Sequence, residues 1–146
     1  MVDVQFACED DDLPTAARIR SWVKMSLKGL REFAELTVRI VGKSEAAELN
    51  ERWREGNGPT NVLSFPAGTP EQIPELLGDI VICAPVIKKE ALKQHKDLTA
   101  HWAHMVVHGV LHLLGFNHDK PNNAKKMEAL EIRILQNLGY ANPYDS

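Results

Sequence analysis

The stretch from Thr99 to Leu114 constrains this chain more than any other. Trp102, Ala103, Met105, Val106, Val107, Val110, Leu111, Leu113 and Leu114 lie almost all round a helix drawn through it. A helix of that kind has to sit at the centre of a fold, with other elements packed about it. Yet it also carries His104, His108 and His112. Residues four apart leave one face of a helix a turn apart, so His108 and His112 can grip a single ion. Gly115 predicts a left-handed stop, and a chain reversing there brings His118 back toward the first two. Three neutral imidazoles leave a fourth position open, which is the layout of a catalytic zinc site rather than a closed structural one.

Ordinary packed histidines are the alternative. Three of them in an apolar layer would each need a separate partner, at about 1–3 kcal/mol for every group left without one, whereas one ion serves all three. His104 also falls near the same face, but it lies about 12 Å from His112 along the axis and cannot share an ion with it. The ligand pair is therefore 104/108 or 108/112, and only the second adjoins the turn that returns His118. His104 and His101 become candidates for supporting roles. Asp119 is placed to orient a ligand imidazole or, ahead of Pro121, to cap a helix. Imidazole also suits nickel, copper and iron, so zinc is the expectation rather than a necessity.

The spacing H-x-x-x-H-x-x-G-x-x-H is shared with the metzincin peptidases. Those carry a glutamate base directly after the first histidine, where this chain has Gly109. Its absence speaks against peptide hydrolysis and leaves a Lewis-acid metal with water in the open position.

The remaining chain reads as one α/β domain spanning residues 1–146, with a small mixed sheet of about four strands and about five helices. Val2 to Ala7 alternates as a first strand, and Pro14 suits the first turn of a helix carrying Ile19, Trp22 and Val23. Residues 35–41 alternate strictly, as a half-exposed strand does. Ser44 is the expected N-cap of a short helix through Trp53, followed by a Gly/Pro loop from Trp53 to Thr60. A brief strand N-V-L-S-F-P ends at Pro66, with a polar connection to about Pro74. Leu77–Cys83 is apolar throughout, as a strand covered on both faces should be. A helix after Pro85 should bury Val86, Ile87 and Leu92, Thr99 should cap the central helix, and Pro121 should open a last helix that buries Met127, Leu130, Ile134 and Leu138. Gly139 ends it, and the tail beyond is expected to be loose.

With 44% hydrophobic and 25% charged residues the composition is ordinary for a globular chain. No apolar run is long enough to span a bilayer, and the N-terminus lacks the basic-then-apolar layout of a secretory signal, so the expected place is the cytoplasm with no membrane partner. Cys8 and Cys83 form no paired motif and read as small buried hydrophobes. A net charge of −3 excludes binding nucleic acid by overall field. Any such binding needs a local groove. The basic residues between Arg18 and Arg31 and between Lys88 and Lys96 read as wet helix faces. Arg54 differs, because it stands where a helix gives way to the Gly/Pro loop, and a guanidinium there can clamp a phosphate.

Taken together, H-G-V-L-H-L-L-G-F-N-H-D, the preceding A-H-W-A-H-M-V-V, the block P-T-N-V-L-S-F-P, L-G-D-I-V-I-C, M-E-A-L-E and the ending L-G-Y-A-N-P-Y resemble the YbeY family of bacterial rRNA maturation factors. The likeness runs from about Leu49 to Tyr144. It implies a single-strand-specific, metal-dependent endoribonuclease that acts in 16S rRNA 3′-end maturation and ribosome quality control. It implies ribosomal small-subunit proteins and an Era-type GTPase as partners, zinc held by His108, His112 and His118 with water as fourth ligand, and Arg54 as the functional arginine. After that arginine, family members often have a basic G-K-D-K stretch where this chain has E-G-N-G, which leaves fewer charges to hold RNA. Two rivals stand beside this reading: a ribosome-assembly factor whose metal is structural, and a metal-dependent hydrolase of another substrate.

Overall fold

The computed structural model describes residues 1–67 and 75–145, so most of the connection expected up to Pro74 lies outside the described residues. In chain order the elements are β1 (Val2–Phe6), α1 (Ala16–Leu27), β2 (Glu35–Val41), α2 (Lys43–Trp53), β3 (Val62–Pro66), β4 (Leu76–Cys83), α3 (Ala84–Lys93), α4 (Leu98–Leu113) and α5 (Pro121–Asn137). Among the described residues the strands make one sheet in the order β1-β2-β4-β3. β1 runs parallel to β2 and β2 parallel to β4, whereas β3 returns antiparallel along the outer edge of β4. The sheet is therefore mixed, as the sequence predicts.

The period-2 patterns set which face each strand buries. Leu36, Val38 and Ile40 of β2 and Ile80 and Ile82 of β4 enter the main core with Ile19, Trp22 and Val23 of α1 and Val106, Val107, Val110 and Leu111 of α4. The alternate residues of β4, Val81 and Cys83, turn to the opposite face and pack against Ala46 and Leu49 of α2. β4 is thus covered on both sides, which is why its sequence is apolar throughout. Cys83 is buried and Cys8 is half-buried, and both are free thiols.

Several local expectations are corrected. The cap of α4 is Asp97, whose carboxylate accepts from the Ala100 N–H at 3.0 Å, and Thr99 lies inside the first turn. Gly42 rather than Ser44 holds the N-cap position of α2, without a side-chain bond. Thr15 caps α1, so Pro14 precedes the helix instead of opening it. On α3 the buried residues are Ala84, Ile87 and Ala91, and Leu92 is 74% exposed. A small alanine at the packed position lets α3 approach its neighbours, and the leucine beside it is rotated about 100° out of the contact. Pro121 does open α5, with Met127 and Ile134 fully covered and Leu130 and Leu138 packed at the margin.

α4 and α5 end by the same device. Gly115 has φ +102°, its N–H donates to His112 O at 3.0 Å, and Phe116 N–H donates to Leu111 O at 3.0 Å. At the end of α5, Gly139 N–H donates to Gln136 O and Tyr140 N–H to Leu135 O. Both are Schellman closures, which satisfy the last carbonyls and send the chain back across the helix end.

α4 lies close against the sheet because it carries no side chain at position 109. A Cβ on Gly109 would come within 2.8 Å of the Ile80 side chain, which is itself wholly buried. Gly109→Ala is expected to lower stability by about 1 kcal/mol net, since overpacking outweighs the gain in helix propensity, and Gly109→Val by more. Urea unfolding would measure both. An alanine variant as stable as the parent would show that Ile80 yields freely.

Candidate metal centre and cleft

His108 and His112 leave α4 on the same face, and their Nε2 atoms stand 3.1 Å apart. The turn at Gly115 returns His118, whose ring centroid lies 5.1 Å from that of His108 and 5.6 Å from that of His112. One nitrogen from each of the three lies within 4.8 Å of the others. Metal–nitrogen bonds of about 2.1 Å in a tetrahedron would set such nitrogens roughly 3.4 Å apart, so the observed spacing fits one ion with small adjustments.

Protonation fits as well. Burial, reinforced by the neighbouring His108 and His118, pushes the His112 imidazole down to about 4, so it is neutral with a lone pair free at physiological pH. His108 turns its Nδ1 to Glu131 Oε2 at 3.2 Å. A carboxylate only accepts, so Nδ1 carries the hydrogen and Nε2 is the nitrogen left to bind.

Glu131 and Tyr144 are the residues that reading the sequence missed. Glu131 is completely buried on α5 and also accepts from His104 Nε2 at 2.7 Å and from Tyr144 Oη at 2.8 Å. Burial alone would raise its pKa, but the hydrogen bonds from His104 and His108 hold it at about 2, so it is ionised. The Tyr144 hydroxyl is shifted upward by burial and by Glu131, and it remains a donor. The signal for Glu131 was available: it sits four residues after Met127 and three before Ile134, in the middle of the apolar stripe of α5. For Tyr144 the signal was only its place in the L-G-Y-A-N-P-Y block, and the tail expected to be loose is docked by it and by Lys96 Nζ donating to Pro143 O at 2.8 Å.

The structure thus places His104 beside the metal cluster, bonded to Glu131. His101 belongs to a different network: its Nε2 meets Glu90 Oε1 at 2.9 Å, and Glu90 accepts from Asn61. Asp119 is exposed and does not cap α5, whose N-cap position is Lys120. It is near enough to His112 to act on it only through charge.

Arg54 comes to the same place from the other wall. It follows the last residue of α2, and its N–H closes the helix on Asn50 O at 3.0 Å. The Gly56 N–H uses the same carbonyl, Asn50 Nδ2 donates to Gly58 O at 2.9 Å, and any Cβ on Gly56 would collide with the Asn50 side chain. Asn50 therefore folds the loop back on the helix end. Arg54 lies over the Phe65 ring, 5.0 Å from its centroid, and donates to the Ser64 carbonyl. Ser64 in turn donates to Gly109 O at 3.1 Å, tying the edge strand β3 to α4 beside the histidines.

Between these walls lies a cleft of about 480 Å³, lined by Arg54, Asn61, Ser64, His108, His112 and Phe116 among others. Among the described residues lining it there is no carboxylate. A would-be base at position 109 would point into Ile80 rather than the cleft. Imidazoles spaced to take a cation on one side, a guanidinium on the other and no carboxylate among the described lining residues suit an anionic substrate.

The sequence model of the family described as Endoribonuclease YbeY matches residues 5–139. The chain belongs to this family. A YbeY endoribonuclease from Nitrosococcus oceani is 49% identical over 148 residues, covering 99% of this chain and 97% of the relative. One from Pseudomonas syringae pv. syringae is 50% identical over 145 residues, covering 98% and 87%. The solution structure of TM1509 from Thermotoga maritima superposes with a TM-score of 0.64 over 100% of both chains at 20% identity, a likeness of fold. The resemblance first seen in the histidine block and the P-T-N-V-L-S-F-P segment thus extends through nearly all of this YbeY chain. Among the described residues no helix is long and apolar enough to cross a membrane.

Proposed function

We propose that the protein is a zinc-dependent endoribonuclease that cuts single-stranded RNA in the cleft between α4 and β3, acting in 16S rRNA 3′-end maturation and ribosome quality control. Membership of the YbeY family supports the RNA-cleaving activity. The observation that carries the placement is that His108, His112 and Arg54 line one cleft that no described carboxylate enters. His108, His112 and His118 are the residues that would hold the ion. When bound, zinc would supply Lewis acidity toward a phosphoryl oxygen or its bound water. The chain's own groups do the rest. Arg54, anchored on Ser64 O and Phe65, offsets charge developing on the phosphate. Asn61 and Ser64 offer polar atoms along the rim, and Phe116 gives an apolar wall against which a base can rest. The place of action is the cytoplasm, and small-subunit ribosomal proteins and an Era-type GTPase are the proposed partners.

The test sets zinc-loaded protein against a single-stranded RNA, the same RNA in duplex, and casein. Cleavage of the single strand alone is the expected result. Casein hydrolysis, or equal cutting of the duplex, would overturn the proposal.

A further inference from the structure

Glu131 is wholly buried, on a helix whose other buried residues, Met127, Ile134 and Leu135, are all apolar. An ionised carboxylate in such a place persists only if donors surround it. Three do. Oε2 takes His104 Nε2 at 2.7 Å and His108 Nδ1 at 3.2 Å, while Oε1 takes Tyr144 Oη at 2.8 Å. The two histidines belong to α4, but the tyrosine comes from the segment after α5, more than ten residues beyond Glu131. Its ring packs edge-on against His104 with centroids 5.4 Å apart.

The arrangement has a direction. Tyr144 touches none of the nitrogens that face the cleft. It holds Oε1, the Glu131 oxygen that the two histidines leave free. Glu131, so fixed, receives the His108 hydrogen and leaves the other ring nitrogen, 3.1 Å from its counterpart on His112, as the binding atom. His104, Glu131 and His108 are also spaced so that they could take an ion directly. Hydrogen bonds account for that spacing, because each carboxylate oxygen already has a donor within 2.8 Å.

We propose that the segment after α5 is a working part of the metal centre, with Tyr144 holding Glu131 and Glu131 holding the binding face of His108. This rests on the reading of His108, His112 and His118 as the ligands. Tyr144 and Glu131 are positioning residues, acting through His108.

The test measures zinc affinity by competition with a chromogenic chelator on folded metal-free protein, together with zinc stoichiometry and nitrogen-15 shifts of the His108 ring. Glu131→Gln is expected to weaken zinc binding by about 10–100-fold and to leave His108 as a mixture of tautomers. Tyr144→Phe should weaken it by roughly three- to tenfold, through the loss of one hydrogen bond. A purely structural role would lower the melting temperature of the metal-free variants and move neither the affinity nor the tautomer. If Glu131→Gln fails to fold, Tyr144→Phe decides alone, because its side chain is partly exposed and its loss is a single hydroxyl. Tyr144→Phe with parental affinity would overturn the proposal, as would two zinc ions per chain with Glu131 needed for the second. A parent protein that binds no zinc would overturn the ligand reading itself and this proposal with it, an outcome distinct from tight parental binding that the variants leave unchanged.

Discussion

His112→Ala is expected to lower zinc affinity by roughly 10²–10³-fold and to bring RNA cleavage to background. Structural zinc sites with four ligands are worth about 10–16 kcal/mol, so each ligand carries about 2.5–4 kcal/mol, and removing one of three here leaves a site too weak to stay loaded at ordinary concentrations. The loss should be specific. The His112 ring packs against the other two histidines at the cleft, and alanine is the best helix former, so metal-free protein should keep its fold. Circular dichroism and zinc analysis on the same sample separate the two effects. A variant that retains one tightly held zinc would mean that the ion sits elsewhere.

Arg54→Ala is expected to slow cleavage of single-stranded RNA by about 10²–10³-fold while zinc stays bound, the scale seen when one preorganised donor to a developing oxyanion is removed. The separation of effects follows from where Arg54 is anchored. Its contacts are the Ser64 carbonyl and the Phe65 ring, and it bonds to none of the histidines. Arg54→Lys should recover little, because an ammonium lacks the fork that can hold the carbonyl and a phosphate together and stacks poorly on Phe65. Intact cleavage by a zinc-loaded Arg54→Ala protein would remove the arginine from the chemistry.

Much of the architecture was legible because it depends on period. Strict alternation marked β2, continuous apolar character marked β4, and all-round apolar character marked α4 as the central helix. The histidine cluster was legible for the same reason, since i, i+4 spacing and a terminating glycine are local features. What escaped reading depends on the approach of elements distant in sequence. Leu92 looks like a core residue on a helical wheel, but Ala91 takes the packed position because the neighbouring elements come close. Asp97, not Thr99, caps α4 because the helix starts two residues earlier, at Leu98, which packs against the core. Glu131 was given no role, because a lone carboxylate in an apolar stripe is explained only by donors from α4 and the tail. Gly109 was read as a missing base. The structure adds a reason in packing: Ile80 occupies the space its side chain would need.

The closure of α2 on Asn50 makes that helix a ruler. Arg54 is the residue immediately after the last turn, and Glu55 at φ +53° then breaks the chain away. One residue inserted anywhere between Lys43 and Trp53 would swing Arg54 about 100° around the axis and carry it about 1.5 Å further along, off Phe65 and out of the cleft. Asn50 also holds the Gly58 carbonyl, so the length of the chain between them is set as well. Homologous chains aligned here should show no gap from Lys43 to Gly58.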